Sequence, residues 1–188
     1  MMDRRFFVTL IGTAAASALA TPAGAQMSRV SAYAFSFEGL NGSPINLAEH
    51  AGRPILIVNT ASYCGYTPQY AGLQTLWTRY RERGLLVLAV PSNDFGGQEP
   101  GGATEIGKTA QGEYHVGFPI AQKAVVKGGQ AHPFYKWAAQ QRPTELPRWN
   151  FHKYLIGRDG ALKASFGSAV DPLDPAIIAA VEVELGAA

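Results

Sequence analysis

Pro54-Ile55-Leu56-Ile57-Val58-Asn59-Thr60-Ala61-Ser62-Tyr63-Cys64-Gly65-Tyr66-Thr67-Pro68-Gln69-Tyr70 decides the architecture, and it carries the only cysteine of the 188 residues. Its first part is an unbroken apolar run, the pattern of a strand covered on both faces. Its last part reads as a helix start, because Thr67 can cap and Pro68 suits the first helical position. Tyr70, Leu73, Leu76, Trp77 and Tyr80 then recur at helical spacing, and Gly84 closes the helix behind Arg79, Arg81 and Arg83. A second apolar run, Leu85 to Val90, ends at Pro91. Strand, helix and strand at this spacing form a parallel crossover. Cys64 therefore sits in a turn at the carboxyl end of a central strand, ahead of a helix. A free thiol is only about 3% ionised at pH 7, and unpaired N–H groups at a helix start favour the anion.

Working outward, Tyr33 to Phe37 alternates large and small residues, Asn41-Gly42-Ser43 signals a turn, and Pro44 to Leu47 returns. This predicts an N-terminal β-hairpin. Leu47 to Gly52 reads as a short helical turn. The glycine-rich loop Ser92 to Gly102 leaves the second central strand at the same edge as the cysteine turn, where open α/β sheets place their sites. Thr104 to about Glu113 reads as a helix, Phe118-Pro119-Ile120 as a short apolar segment, and Pro133 to Gln141 as a further helix. His152–Gly157 and Ala161–Phe166 read as strands joined by Asp159-Gly160. Asp174 caps and Pro175 opens a last helix ended by Gly186. The order predicts an α/β, thioredoxin-like fold: a central mixed sheet flanked by helices, with an N-terminal β-hairpin.

Residues 1–25 read as a cleavable secretory signal, with a basic head at Arg4-Arg5, a mildly apolar run from Val8 to Ala20, and small residues at Ala23 and Ala25. The Arg4-Arg5 pair with Phe7 resembles a twin-arginine signal. The expectation is an exported chain in a bacterial periplasm, with residues 26–188 forming one domain. The apolar run is too short to span a bilayer, which takes about 20 apolar residues, so no stable membrane insertion is expected. With 16 Lys and Arg against 14 Asp and Glu, nothing points to nucleic acid. One cysteine cannot form an internal disulfide. Most lone cysteines are small buried hydrophobes, but an unpaired one in an oxidising compartment is a hazard unless buried or used. His50, His115, His132 and His152 share no ligand spacing, so neither a metal nor an organic cofactor is expected.

A thiolate that attacks a peroxide needs donors for the departing oxygen, and amides or an indole supply them without adding an oxidisable group. Such groups stand in short strings: Gln98 in Phe95-Gly96-Gly97-Gln98-Glu99-Pro100-Gly101, and Trp149 and Asn150 in Arg148-Trp149-Asn150-Phe151-His152-Lys153-Tyr154. With Asn59 to Thr67, Pro91 to Gly101, Phe118-Pro119-Ile120 and Ala131-His132-Pro133, the chain resembles the glutathione peroxidase family in motif order. The resemblance implies a catalytic tetrad of Cys64, Gln98, Trp149 and Asn150. It implies a peroxidase that reduces hydrogen peroxide or organic and lipid hydroperoxides through a Cys64 sulfenic acid.

The chain departs from the family pattern at several points. It has Ala110-Gln111-Gly112 where many cysteine-type members carry a resolving cysteine, and Ser92 where another cysteine is common. The sulfenic acid must therefore meet an external thiol, such as glutathione or a thioredoxin-type protein. Asp94 replaces a common Gln and Tyr63 a common Lys, which would add negative and remove positive charge near the thiol. The short connection from Trp137 to Trp149 resembles the monomeric, phospholipid-hydroperoxide branch. Other thiol chemistries fail on spacing. A dithiol oxidoreductase needs a cysteine at Thr67, a copper-delivery protein one at Pro68, and a peroxiredoxin a Thr at Ala61. A weakly catalytic peroxide sensor is the alternative from another class.

Overall fold

In a computed structural model, the structure describes residues 30–186 together with Met1. The expected signal at 1–25 otherwise lies outside the described residues. The N-terminal hairpin pairs β1 (Ser36–Glu38) with β2 (Pro44–Asn46) in an antiparallel two-stranded sheet of its own. The alternation expected from Tyr33 is only partly strand, since Ala32–Ala34 form a 3-10 turn held by Ala34 and Phe35 N–H groups.

The central sheet has four strands, which in spatial order are Leu86–Pro91, Ile55–Thr60, Lys153–Ile156 and Leu162–Phe166. β3 (Ile55–Thr60) and β4 (Leu86–Pro91) run parallel and are joined by α1 (Gln69–Tyr80). β5 (Lys153–Ile156) runs antiparallel to β3, and β6 (Leu162–Phe166) antiparallel to β5. Every residue of β3 and β4 is buried because both sheet faces are covered. Leu56 and Val58 point to one face, where Leu73 and Leu76 of α1 meet Ile177 and Val181 of the last helix. Ile55 and Ile57 point to the other, toward Phe134 and Trp137.

The remaining helices are α2 (Ala103–Gly107), α3 (Pro133–Gln141) and α4 (Pro175–Leu185). α3 has the bounds expected from sequence; His132 caps it, its Nδ1 accepting from Phe134 N–H. Asp174 caps α4 by accepting from Ala176 N–H at 2.8 Å. The helix expected over Thr104 to Glu113 divides: α2 gives way to a π-helical turn over Lys108–Glu113. Ile120 bridges to Ala89, so the Phe118 segment lies along the outer edge of β4. Among the described residues, no helix is long and apolar enough to cross a membrane.

This topology fixes where the site can form. β3 and β4 are parallel, so the Cys64 turn and the Ser92–Gly102 loop leave one edge of the sheet. β5 is antiparallel to them, so the residues just before it reach that same edge. Trp149 and Asn150 immediately precede β5.

Candidate active site

The turn after β3 is organised by Thr67, in a different way from the one its sequence suggests. It does not cap α1, which begins at Gln69 behind Pro68 with no side-chain cap. The Thr67 hydroxyl folds back instead. It accepts from Cys64 N–H at 3.1 Å and has the carbonyls of Cys64 and Ala61 at 2.7 and 2.9 Å for its single proton. Capping is lost because this hydroxyl is already committed inside the turn. Cys64 is consequently held one turn ahead of the helix, and it is 7% exposed. Its sulfur accepts from Tyr66 N–H at 3.4 Å. Tyr63 and Tyr66 on either side face solvent.

The Ser92–Gly102 loop closes on this turn. Tyr63 N–H donates to the Gln98 carbonyl at 3.0 Å, and Ser62 N–H and Oγ donate to Glu99 Oε2 at 2.9 and 3.1 Å. Lys123 Nζ clamps the far side by donating to the carbonyls of Glu99 and Gly101 at 3.1 and 2.8 Å. The Gln98 side chain is oriented by Asn150. Fully buried, Asn150 donates from Nδ2 to Gln98 Oε1 at 3.0 Å and more weakly to the Phe95 carbonyl at 3.4 Å. Fixing Oε1 in this way leaves the Gln98 amide N–H groups as the free donors.

Trp149 is 39% exposed. Its ring lies against Phe95 at 6.0 Å between centroids, and its carbonyl accepts from Asn59 Nδ2 at 3.0 Å. Phe151 follows with φ 62°, and its N–H donates to the Asn59 carbonyl. A left-handed conformation costs a non-glycine residue about 1–3 kcal/mol and persists only where the surroundings impose it. Here the buried ring, edge-on to Tyr70 at 5.4 Å, supplies that constraint. The strained bend turns Trp149 and Asn150 toward the loops before β5 begins. Three segments, remote in sequence, thus bring Cys64, Gln98, Trp149 and Asn150 to one edge.

The Asp94 carboxylate does not turn toward the thiol: it accepts from the N–H groups of Val126 and Lys127 at 2.6 and 3.2 Å, anchoring the next loop. Glu99 and Lys153 lie fully buried. Burial pushes the Glu99 carboxyl up, with the Ser62 bonds and Lys123 acting against it. Burial also lowers the Lys153 ammonium to about 8, while it donates to Gln69 Oε1 and the Val170 carbonyl at 2.6 Å each. His152 is lowered to about 4 by burial first and Lys153 second. No group of three potential metal ligands occurs among the described residues.

Beside the site runs a groove of about 920 Å³, walled by Val126, Ala131, Tyr135 and Leu146. Lys127, Lys136 and Arg148 line it, and no carboxylate does. Lys127 Nζ lies 4.6 Å above the Phe95 ring that backs Trp149.

A sequence profile of the glutathione peroxidase family matches residues 32–139. The chain belongs to the glutathione peroxidase family. It is 44% identical over 149 residues to hydroperoxy fatty acid reductase gpx1 of Synechocystis sp., covering 74% of this chain and 88% of that one. It is 43% identical over 143 residues to glutathione peroxidase-like peroxiredoxin GPX5 of Chlamydomonas reinhardtii, covering 74% and 88%. Among solved structures, that of Trgpx in apo form is similar with a TM-score of 0.65 and 32% identity, over 82% of this chain and 97% of that one. A thiol:disulfide interchange protein from Chlorobium tepidum, 16% identical with a TM-score of 0.60 over 81% and 93%, shares the thioredoxin-like fold. As a glutathione peroxidase, the protein is a thiol-dependent peroxidase that works without a prosthetic group. The profile match spans Cys64 and Gln98 and stops short of Trp149 and Asn150. Those two enter the site through the antiparallel placement of β5.

Proposed function

We propose that Cys64 is the peroxidatic nucleophile and that Gln98, Trp149 and Asn150 orient the peroxide. The observation that carries this is the Asn150–Gln98 hydrogen bond of 3.0 Å on a loop whose Gln98 carbonyl is tied to Tyr63, next to the thiol. The Cys64 thiolate attacks the terminal oxygen of the hydroperoxide, and the O–O bond breaks. The alkoxide or hydroxide leaves with a donated hydrogen bond from the Gln98 amide or the Trp149 indole and takes up a proton. Cys64 becomes a sulfenic acid. An external thiol then attacks its sulfur and releases water, and a second thiol displaces the first as a disulfide. The protein has no other cysteine to take that role. Glutathione or a thioredoxin-type dithiol supplies the electrons.

The relatives named as fatty acid hydroperoxide reductases, together with the apolar, cation-lined groove, support long-chain hydroperoxides as substrates alongside hydrogen peroxide. The absence of an insertion between Trp137 and Trp149 supports a monomer, measurable by light scattering. The Arg4-Arg5 segment supports twin-arginine export to a periplasm, checked by fractionating cells that carry the intact or Lys-substituted pair.

Stopped-flow oxidation followed by turnover with a thiol panel tests the catalytic reading. Cys64→Ser should abolish peroxide consumption, and Gln98→Ala or Trp149→Ala should slow Cys64 oxidation. Near-normal activity in Cys64→Ser would refute it. Sulfenic acid formation without turnover by any thiol would favour a sensor.

A further inference from the structure

Burying a carboxylate is costly unless its oxygens are satisfied, and Glu99 is the only buried acidic residue among those described. The oxidation chemistry above makes no use of it. Its position is nonetheless central. It follows Gln98 in the chain, its N–H donates to Asn93 Oδ1 at 2.9 Å, and its carbonyl is held by Lys123. Its side chain reaches across to the other loop, where Oε2 receives both hydrogen bonds of Ser62. The other oxygen, Oε1, has no partner. The Tyr70 and Thr60 hydroxyls are likewise buried without a hydrogen-bond partner.

We propose that Glu99 is a positioning residue for the peroxidase reaction, setting through Ser62 the turn that presents Cys64 to the Gln98 amide. The inference rests on the reading of Cys64 as the nucleophile. Its basis is a two-rung ladder. One rung joins Tyr63 N–H to the Gln98 carbonyl, and the other joins Ser62 to the Glu99 side chain, one residue along on each segment. Two rungs fix both the separation and the rotation of the cysteine turn against the Gln98 loop. With the Glu99 rung removed, the turn pivots about the Tyr63 bond. The Gln98 amide does not follow, because Asn150 holds it independently. The sulfur is then misplaced relative to the donors of the leaving oxygen. The rung needs an acceptor at the reach of a glutamate side chain rather than a negative charge.

The test uses Glu99→Gln, which keeps an oxygen at that reach, Glu99→Asp, which keeps the charge and loses a methylene, and Glu99→Ala. Oxidation of the reduced full chain by hydrogen peroxide is followed by stopped flow, and reduction of the sulfenic acid by glutathione is measured separately. Oxidation should slow on the order of 10- to 100-fold in Glu99→Asp and Glu99→Ala, the scale of a reacting atom displaced by about 1 Å, and stay within about threefold of wild type in Glu99→Gln. The reduction step should be unchanged in all three, which separates positioning from a general loss of structure. If Glu99→Ala does not fold, Glu99→Asp against Glu99→Gln decides. Wild-type oxidation in Glu99→Asp, no rescue in Glu99→Gln, or equal losses in both half-reactions would overturn the inference. If Cys64→Ser is inactive while the Glu99 variants are normal, only this inference fails. An active Cys64→Ser would remove the reading beneath it as well.

Discussion

Replacing Asn150 by aspartate changes one buried group by little in shape and much in bonding. Asn150 Nδ2 donates to Gln98 Oε1 at 3.0 Å and to the Phe95 carbonyl at 3.4 Å. Asn150→Asp turns both contacts into acceptor facing acceptor. The shorter bond contributes about 1 kcal/mol net, and a buried acceptor left unpaired costs about 1–3 kcal/mol. Counting the longer bond in part gives roughly 3 kcal/mol of destabilisation with the introduced carboxyl ionised. A protonated carboxyl can donate to one of the two oxygens, so folding favours the acid form and raises its pKa above the unfolded value of about 3.9. The folded state then binds more protons, so stability falls as pH rises through that range and is restored toward acid. Asn150→Ala loses the same donors without a titrating group. In urea denaturation Asn150→Asp should be less stable than Asn150→Ala near neutral pH, and the difference should close in mild acid. With Gln98 released, Cys64 oxidation should slow on the order of 100-fold in both variants. Wild-type stability of Asn150→Asp at neutral pH, a gap that does not change with pH, or unimpaired oxidation would refute the role given to this bond.

Gly96 and Gly97 test the loop that backs Trp149. Both have left-handed φ, 66° and 64°, but only at Gly96 would a Cβ press on the indole, 3.2 Å from its Cη2. Each alanine substitution should cost about 1–2 kcal/mol in the backbone, and by stopped flow Gly96→Ala should slow Cys64 oxidation where Gly97→Ala does not. His152, lowered to about 4 from its ordinary 6.5, binds fewer protons folded than unfolded across that window. Its contribution to stability is therefore full above the ordinary value and is lost as pH falls toward the folded one. Thermal denaturation of His152→Gln should show a flatter pH dependence there than wild type.

Apolar continuity made the central strands readable, since Ile55–Val58 and Leu86–Val90 need cover on both faces wherever they lie. Pro133 marks the first residue of α3 in the sequence, and Asp174 with Pro175 marks that of α4. The start of α1 differs from the expected one because the Thr67 hydroxyl oxygen accepts from Cys64 N–H inside the turn instead of from the first N–H groups of the helix. The four proposed site residues stand in recognisable motifs, and the parallel crossover brings the first two loops to one edge. What brings Trp149 and Asn150 to them is the direction of β5 and the left-handed backbone of Phe151, which tertiary packing imposes. Glu99 and Asp94 were harder still. A carboxylate in a glycine-rich loop gives no sign along the chain whether it faces water, a serine two residues before the cysteine, or the amides of a later loop.

The antiparallel entry of β5 also sets when the thiol becomes special. Cys64 and Gln98 are made early in synthesis, but the residue that aligns the Gln98 amide arrives more than fifty positions later and acts only once the sheet has closed. Until then the proposed nucleophile stands without aligned donors. A fragment ending with the family-matched segment at residue 139 would hold the proposed nucleophile without Asn150, which orients the Gln98 amide. On the proposed reading of Cys64, completion of the fold is thus the step that aligns the peroxide-binding donors with the thiol.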